Sequence, residues 1–401
     1  MAKGFDGEAG TATRAIMSGR DGDWASRVAN PPVWRASTHL FASCAALRAS
    51  KGKLADKEFF YGRQGSPTHW ALEDALTQLE PDAAGTVLYP SGLAAITGAL
   101  LTVLKPGDTL LMTDNTYEPS RTFATGFLAR MGVTTRFFDP LDLAGFEGLF
   151  DESTTAVLLE SPGSLTLEVC DVPALTAIAR GKGAAVLLDN TWATSTGFPA
   201  LRHGCDIAIT ALTKHIGGHS DVMLGSCAAG ERYHRRLRQT ARTLGHVVSP
   251  DDAALALRGL RTMPLRLQRQ SESALRIAGW LAAREEVAEV LCPMLPSHSG
   301  HALWRRDFTG GCGLFTFVLG GRDDAARCRF IDALELFGIG FSWGGYESLA
   351  LPVDPGTVRT ATAWPKEGSA DCQAIRLSIG LEDADDLIAD LAQAFAAMDA
   401  A

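Results

Sequence analysis

Residues 211–221, ALTKHIGGHSD, bring a lysine, two histidines and two adjacent glycines into one short stretch. Three kinds of chemistry use such residues. His215 and His219 could bind a metal, the glycines could cradle a phosphate, or the amine of Lys214 could be the reacting group. The neighbouring sequence is needed to distinguish a metal site, a phosphate site and a reactive lysine.

Neither a metal site nor a nucleotide-triphosphate site fits the stretch well. One metal held by His215 and His219 would require a helix between them, and Gly217 and Gly218 disfavour a helix. No H-E-x-x-H pattern is present, and neither is the glycine spacing of a P-loop. We therefore expect no metal and favour Lys214 as the reacting group.

The elements that must position Lys214 follow from short apolar runs bounded by turn residues. Several helical stretches, such as GLAAITGALLTVL, separate these runs. Alternation of helices with strands that are apolar on both faces is typical of a parallel sheet covered by helices. The predicted strands are 86–89, 109–112, 135–138, 156–159, 185–188 and 206–210.

The pattern changes near residue 255. A long helical stretch over roughly 252–286 precedes a strand in GLFTFVL, a helix through FIDALELF, a strand in AIRLSIG and a closing helix. This order predicts a smaller α+β domain. We divide the chain into an N-terminal arm (1–65), an α/β domain (66–255) and a C-terminal α+β domain (256–401).

Chemically useful residues follow the predicted parallel strands, at the sheet edge where α/β proteins bind ligands. A turn and a helix start at Gly92 form a potential anion site. Tyr117 lies shortly after the predicted strand 109–112, and Asp189 directly follows the strand 185–188. Lys214 lies four residues after the strand 206–210. An amine, an acid, anion-binding amides and an aromatic ring are the parts that pyridoxal phosphate (PLP) requires.

The run DNTWATSTGFPALRHGCDIAITALTKHIGGHSDVMLG closely resembles the lysine region of the cystathionine γ-synthase/β-lyase family of PLP enzymes. The resemblance covers nearly the whole chain, and it is strongest to the β-lyase branch in ALTK, SWGGYESL and RLSIGLED. It implies a fold type I, PLP-dependent transferase-like architecture. The other matching segments are YGRQGSPTHWALEDAL, YEPS, ESPGSLTLEVCDVPAL, GLRTMPLRL, RRDFTGGCGLF and IRLSIGLEDADDLIADL.

The resemblance assigns three residues to the cofactor ring and its reactive carbon. Lys214 would bind PLP covalently and later move the substrate proton. Asp189 would keep the pyridine nitrogen protonated, and Tyr117 would stack on the ring. Lys214 and Tyr117 are therefore the expected catalytic residues.

The resemblance also assigns the phosphate site. The backbone amides of Gly92 and Leu93 and the hydroxyl of Thr213 would hold the phosphate. Tyr61 and Arg63 match residues that reach the site from a neighbouring subunit. This role would explain the patternless arm, and it implies a homotetramer built from dimers that share active sites.

The substrate side of the site rests on three further matches. Arg376 matches the residue that pairs with the substrate α-carboxylate, a planar two-point contact that lysine cannot reproduce. Ser342 and Trp343 would line the same pocket. Two residues depart from the family pattern: His215 follows the lysine where we expect tyrosine, and Gln64 stands where β-lyases carry a second arginine. The loss of that arginine puts the natural substrate in doubt.

Three functions compete at this stage. The first is a carbon–sulfur β-lyase that cleaves L-cystathionine, or cystine and other cysteine S-conjugates, with homocysteine, pyruvate and ammonia as products from cystathionine. The second is γ-elimination or γ-replacement on the same scaffold, but relatives of that type carry Ser at the Ala211 position and Asn near Ser164. The third is a binding or regulatory protein, which the intact site residues disfavour.

Composition and hydropathy argue against a nucleic-acid-binding, membrane-spanning or secreted protein. The chain has 401 residues, 46% of them hydrophobic, and a formal charge of −9, which argues against binding to nucleic acid. No apolar stretch is long enough to span a membrane, and no secretory leader is visible. We expect a cytoplasmic enzyme acting on a small amino acid, with its scattered cysteines as core residues.

Overall fold

A computed structural model of the chain describes residues 9–20, 28–50, 57–365 and 373–399. Internal contacts group it into two compact units, one of residues 1–103 and 199–264 and the other of residues 104–198 and 265–401. Both units are discontinuous in sequence. The division at residues 65 and 255 is based on sequence pattern and stays a prediction.

The helices and strands are as follows in chain order. The helices are α1 (Thr11–Met17), α2 (Cys44–Ser50), α3 (Pro67–Leu79), α4 (Gly92–Val103), α5 (Glu118–Thr122), α6 (Leu143–Gly148), α7 (Val172–Gly181), α8 (Thr194–Gly197), α9 (Glu231–Leu244), α10 (Pro250–Ala282), α11 (His301–Asp307), α12 (Asp324–Asp332) and α13 (Ala384–Asp399). The strands are β1 (Gly85–Tyr89), β2 (Thr109–Thr113), β3 (Thr134–Phe138), β4 (Thr154–Glu160), β5 (Ala185–Asp189), β6 (Ile207–Thr210), β7 (Gly225–Ala229), β8 (Val287–Leu291), β9 (Leu314–Leu319), β10 (Gly338–Ile339), β11 (Leu349–Val353) and β12 (Gln373–Ser378).

In the first unit, β7 lies between β1 and β6 and runs antiparallel to both. Every residue of these three strands is buried. The sequence did not predict β7, because GSCAA contains none of the β-branched or aromatic residues that mark strands. Its small residues serve close packing instead: a Cβ at Gly225 would lie 2.2 Å from the carbonyl oxygen of Ser91.

In the second unit, four parallel strands follow the order β5-β4-β2-β3. A separate sheet has the order β10-β11-β12-β9-β8 and is antiparallel except for the pair β10 and β11. The predicted α/β architecture, with parallel strands and a smaller α+β sheet, is confirmed. Phe317, Phe330 and Phe395 form the apolar contact between the smaller sheet and helices α12 and α13.

One predicted element lies earlier in the chain than the sequence indicated. The helix expected through FIDALELF is α12, which begins at Asp324 and ends at Asp332. The carboxylate of Asp323 caps it by accepting from the N–H of Ala326 at 2.9 Å. This cap explains the early start, because a side-chain acceptor satisfies a first-turn amide.

Two further expectations can be compared with the described residues. Of the cysteines, Cys44 and Cys328 are exposed, so the expectation of core positions is wrong for them; Cys372 lies outside the described residues. Among the described helices, none combines the length and hydropathy needed to cross a bilayer.

The carboxylate of Asp114, just past β2, fixes the loop at residues 359–362. Asp114 is fully buried and accepts from the backbone amides of Thr360, Ala361 and Thr362 at 2.8–3.1 Å. It also pairs with Arg121 at 3.0 Å. Burial alone would raise the pKa of Asp114, but the donors at Thr360, Thr362 and Ala361 hold that pKa below its ordinary value.

We expect Asp114→Asn to lower the midpoint of thermal unfolding at pH 7, because it leaves Arg121 buried and unpaired, at a cost of about 3–5 kcal/mol. A carboxyl whose pKa is depressed by folding stabilises the protein above its unfolded pKa of about 3.9 and loses that effect as pH falls. The difference between wild type and variant should therefore be fully present above that pKa and shrink as pH falls below it, through the lower pKa of the folded state. The exposed pair of Asp82 and Arg202 gives the control Asp82→Asn. A deficit that stays constant with pH would contradict this assignment.

Candidate active site

The start of α4 in the first unit presents two backbone donors. The hydroxyl of Ser91 accepts from the amide of Ala94 at 3.0 Å. The amides of Gly92 and Leu93 have no acceptor among the described residues, as expected for the first turn of a helix. A Cβ at Gly92 would lie 2.6 Å from the Cβ of Ala211. Gly92 therefore permits close approach here, and the two amides form an anion site.

The lysine loop, residues 211–218, lies immediately after β6 in the same unit. The amide of Lys214 donates to the carbonyl of Ala211 at 3.1 Å, and the amide of Gly218 donates to the carbonyl of Lys214 at 2.8 Å. Helix α10 packs directly on this loop, because a Cβ at Gly259 would lie 2.1 Å from the carbonyl oxygen of Gly217. The backbone on both sides of Lys214 is thus fixed.

The hydroxyl of Thr213, predicted to bind phosphate, is engaged within the loop. It donates to the carbonyl of Leu224 at 3.1 Å and accepts from the amide of Leu224 at 3.0 Å. This pair of bonds ties the lysine loop to the segment before β7. A phosphate would have to attract the hydroxyl hydrogen away from Leu224.

The two histidines of the lysine loop region differ in environment. His215 is 1% exposed, whereas His219 is exposed and its Nδ1 lies 2.8 Å from the carbonyl oxygen of Gly217. Among the described residues there is no group of three or more His, Cys, Asp or Glu side chains that could hold a metal.

In the second unit, two carboxylates stand at the ends of neighbouring parallel strands. Glu160 on β4 is directly opposite Asp189 on β5. Oδ1 of Asp189 accepts from the amide and the hydroxyl of Thr191 at 3.0 and 2.6 Å. Oε2 of Glu160 accepts from the backbone amide of Tyr117 at 2.6 Å. Glu160 therefore holds the residue predicted to stack on the cofactor.

The electrostatics of this group follow from its burial and its like charges. Burial, and next the charge of Asp189, raise the pKa of Glu160 well above its ordinary value. Burial, Asp189 and Glu160 likewise raise the pKa of Tyr117. The phenol stays protonated, and 44% of this side chain's surface is exposed.

Arg376, on β12 of the same unit, is the predicted carboxylate-binding residue. Its guanidinium donates to the carbonyl of Ser342 at 3.0 Å and acts electrostatically on Tyr117. Burial lowers the pKa of Arg376 to about 10, which leaves it charged at neutral pH. Ser342 has φ of 84°, in the left-handed region, and Trp343 is partly buried.

Tyr61 and Arg63 lie at a short 3-10 helix, Gly62–Gln64, in the first unit. Both side chains are exposed, and the guanidinium of Arg63 lies 5.8 Å from the ring centroid of Tyr61. The backbone between them is fixed, because the amide of Gly62 donates to the carbonyl of Ser37 at 2.8 Å. The pair thus presents an aromatic ring and a cation together.

Each unit by itself has groups that suit a part of PLP. The first unit has an amine at Lys214 and two backbone donors at Gly92 and Leu93, which suit an aldehyde and a phosphate. The second unit supplies carboxyls beside one another at Asp189 and Glu160, a set that favours a protonated nitrogen as partner. The half-exposed ring of Tyr117 offers a face for stacking.

The match to a family model decides the family. Residues 12–396 match the model described as Cys/Met metabolism PLP-dependent enzyme. The chain belongs to this family. PLP is therefore its cofactor, as the sequence motifs predicted, and the chain is a PLP-dependent enzyme.

Relatives within the family agree with this assignment over nearly their full length. The cystathionine beta-lyase of Escherichia coli is 42% identical over 96% of this chain and 98% of its own. That of Bordetella avium is 42% identical over 91% of each. A cystathionine gamma synthase of Xanthomonas oryzae, solved in complex with aminoacrylate and cysteine, has a TM-score of 0.89 and 33% identity, covering 98% of this chain and 99% of its own.

Sequence reasoning missed Glu160 as a site residue. A signal was present, because β4 ends in AVLLE and β5 ends in AVLLD, an acid after the same apolar run. Two parallel strands that end alike place these acids side by side when they pair in register. The sequence alone does not say that β4 and β5 are neighbours.

A pair of variants tests the protonation of Glu160. We expect Glu160→Gln to bind PLP almost as wild type, since a neutral amide still accepts from the Tyr117 amide. Glu160→Ala should weaken PLP binding about ten-fold or more, because it leaves that amide unsatisfied. The dissociation constant is read from the visible absorbance of bound cofactor. If Gln weakens binding as much as Ala does, Glu160 acts as an anion and the assignment is wrong.

Proposed function

We propose that the protein is a carbon–sulfur β-lyase that cleaves L-cystathionine to homocysteine, pyruvate and ammonia, with cystine and other cysteine S-conjugates as further candidate substrates. The observation that carries this choice is identity above 40%, over more than nine-tenths of each chain, with cystathionine beta-lyases of two bacteria. Ala211 adds support, because relatives of the γ-acting type carry serine there.

The site residues have distinct proposed roles toward the cofactor. When bound, PLP supplies a ring that withdraws electrons from the substrate Cα. Lys214 anchors PLP, and Asp189 keeps the ring nitrogen protonated. Tyr117 covers the ring face.

The phosphate is held by the amides of Gly92 and Leu93. Thr213 contributes through its hydroxyl, and Tyr61 and Arg63 contribute from a neighbouring subunit. These proposals rest on the resemblance and on the donor chemistry of each residue.

On the substrate side, Arg376 binds the α-carboxylate, with Ser342 and Trp343 lining the pocket. The guanidinium of Arg376 is half-buried and donates from Nη2 to the carbonyl of Ser342, and its planar set of donors suits a carboxylate. The amine of Lys214 then takes the Cα proton, and the Cβ–sulfur bond breaks with its electron pair leaving on sulfur. The thiolate takes up a proton as homocysteine. The remaining three-carbon fragment gains water and yields pyruvate and ammonia.

The second candidate keeps the cofactor and moves the reaction to Cγ. It is favoured by the likeness to a solved cystathionine gamma synthase at 33% identity. The two candidates differ in the keto acid formed from L-cystathionine, which is pyruvate for β-elimination and 2-oxobutyrate for γ-elimination.

We also propose that the arm packs on a second subunit and that the assembly is a tetramer of paired dimers. Large apolar side chains of the arm are exposed in the single chain: Trp34 at 38%, Leu40 at 95% and Phe59 at 41%. Such a group of exposed apolar residues is typical of an interface. A cytoplasmic location stays a prediction.

Light scattering tests the assembly. We expect the wild-type mass to be four times that of the chain, because the exposed apolar side chains of the arm are then covered. Leu40→Asp should shift the protein toward smaller species, since a charge cannot be buried without a partner. Leu47→Asp changes a second position of the same arm, in α2. A similar shift toward smaller species in this variant would indicate that the arm as a whole, and not Leu40 alone, takes part in assembly. A monomeric wild-type protein would contradict the proposal.

Product analysis tests the reaction. We expect purified enzyme supplied with L-cystathionine to form pyruvate and homocysteine in equal amounts. Lys214→Ala should lose turnover by several orders of magnitude, because both the cofactor anchor and the base are removed. Lys105→Ala, which removes an exposed lysine two residues past the end of α4, is the matched control. Formation of 2-oxobutyrate would overturn the β-lyase assignment, and normal turnover by Lys214→Ala would overturn the assigned roles.

A further inference from the structure

Two ion pairs of the second unit meet at the loop of residues 359–362. Arg121 pairs with Asp114 at 3.0 Å, and Arg359 pairs with Glu168 at 2.7 Å. The Arg359 side chain is 5% exposed, and a buried guanidinium left without its carboxylate is strongly unfavourable. The proposed reaction gives no role to Glu168 or Arg359, so the pair that they form requires another explanation.

The guanidinium of Arg359 donates in two directions. Its Nη2 donates to Oε1 of Glu168 at 2.7 Å and to the hydroxyl of Thr166. Its Nη1 donates to the hydroxyl of Thr362 at 2.8 Å. That hydroxyl donates in turn to Oδ2 of Asp114 at 2.9 Å. The two ion pairs are therefore connected through Thr362 and form one network.

The Glu168 end of this network reaches the segment just before Tyr117. Oε2 of Glu168 accepts from Nδ2 of Asn115 at 3.4 Å, and the carbonyl of Asn115 accepts from the amide of Ser164 at 2.8 Å. A Cβ at Gly163 would lie 1.9 Å from Nδ2 of Asn115, so glycine is required for this close approach. The buried Asn115 thus joins the segment after β4 to the segment that carries Tyr117.

The Asp114 end of the network fixes the backbone after Tyr117 as well. Nη1 of Arg121 donates to Oδ1 and to the backbone carbonyl of Asp114, each at 3.0 Å. The guanidinium of Arg121 also lies 3.7 Å from the ring centroid of Phe137. The carbonyl of Tyr117 accepts from the amide of Arg121 at 3.3 Å. Because the Tyr117 ring is half-exposed, its position depends more on this backbone support than on packing by other side chains.

We propose that Arg359 and Glu168 are positioning residues for Tyr117. They act through Asn115 and Asp114, which precede Tyr117, and not by contact with the reacting atoms. This inference rests on the proposed function, in which the Tyr117 ring covers the cofactor. Misplacement of a group by about 1 Å can cost about 100-fold in rate, so such support has a catalytic effect.

Fluorine NMR reads the position of Tyr117 directly. The chain has five tyrosines, so holoenzyme labelled with 3-fluorotyrosine should give five signals, and Tyr117→Phe identifies the one from Tyr117. Arg359→Gln should shift or broaden this signal, because the segment before Tyr117 loses its support. The signals of Tyr89 and Tyr233, in the first unit, should stay unchanged. A Tyr117 signal that does not change in Arg359→Gln would overturn the proposal.

A double-mutant cycle on PLP binding separates positioning from a general loss of stability. Arg359→Gln should weaken PLP binding about ten-fold, the order of a lost aromatic contact. In a Tyr117→Ala background, where no ring remains to be positioned, the same substitution should change binding by less than about two-fold. The dissociation constant is read from the visible absorbance of bound cofactor. Equal weakening in both backgrounds would contradict the positioning role.

Arg327→Gln is the matched control. The Arg327 side chain is also 5% exposed, and it pairs with Asp324 at 2.6 Å and with Asp354 at 2.9 Å around α12 of the same unit. Its loss should lower the midpoint of thermal unfolding as Arg359→Gln does, but leave PLP binding and the Tyr117 signal unchanged. An equal effect on the Tyr117 signal would show that Arg359 acts only through overall stability, and the proposal would fail.

A milder variant keeps the test decisive if Arg359→Gln does not fold. Arg359→Lys keeps the charge beside Glu168 but lacks the planar set of donors that also reaches Thr362. Its Tyr117 signal and PLP affinity should lie between those of wild type and Arg359→Gln, and wild-type values for both would overturn the proposal.

Failure of the proposed function has a different result. If Tyr117→Ala alone binds PLP as tightly as wild type, Tyr117 does not cover the cofactor ring, and that part of the proposed function is wrong. The fluorine signal still decides the positioning role in that case, because it reports on Tyr117 itself. A change of the signal in Arg359→Gln but not in Arg327→Gln supports the role, and any other result rejects it.

Discussion

Two carboxyl groups side by side at the ends of β4 and β5 are the constraint on which the site depends. Because β4 and β5 pair in parallel with Glu160 opposite Asp189, the two residues lie side by side. Like charges side by side are unfavourable, and burial together with the charge of Asp189 raises the pKa of Glu160. Glu160 accepts from the Tyr117 amide. One backbone arrangement thus positions both Tyr117 and Asp189, the residues predicted to cover the cofactor ring and to pair with its nitrogen.

In the first unit, small residues fix the backbone of the loop that carries Lys214. They do so because they let neighbouring backbone segments approach closely. Gly92 lies against Ala211, and Gly259 lies against the carbonyl of Gly217. An added Cβ at either position would displace the lysine loop or the start of α4. The immobilised loop limits the positions that the Lys214 side chain can reach, which is the kind of preorganisation that catalysis requires.

The sequence by itself determined the parallel strands of the α/β part, the family and the cofactor, because each of these depends on local pattern or on motifs. The site residues that it indicated stay predictions. Asp189 and Lys214 were visible as polar residues that end apolar strands. Tertiary structure alone decided which strands are neighbours, and therefore that Glu160 joins Asp189. It also decided that β7 is a strand and that α10 packs on the lysine loop. These contacts join residues far apart in the chain, and neither hydrophobic periodicity nor turn chemistry carries information about such pairs.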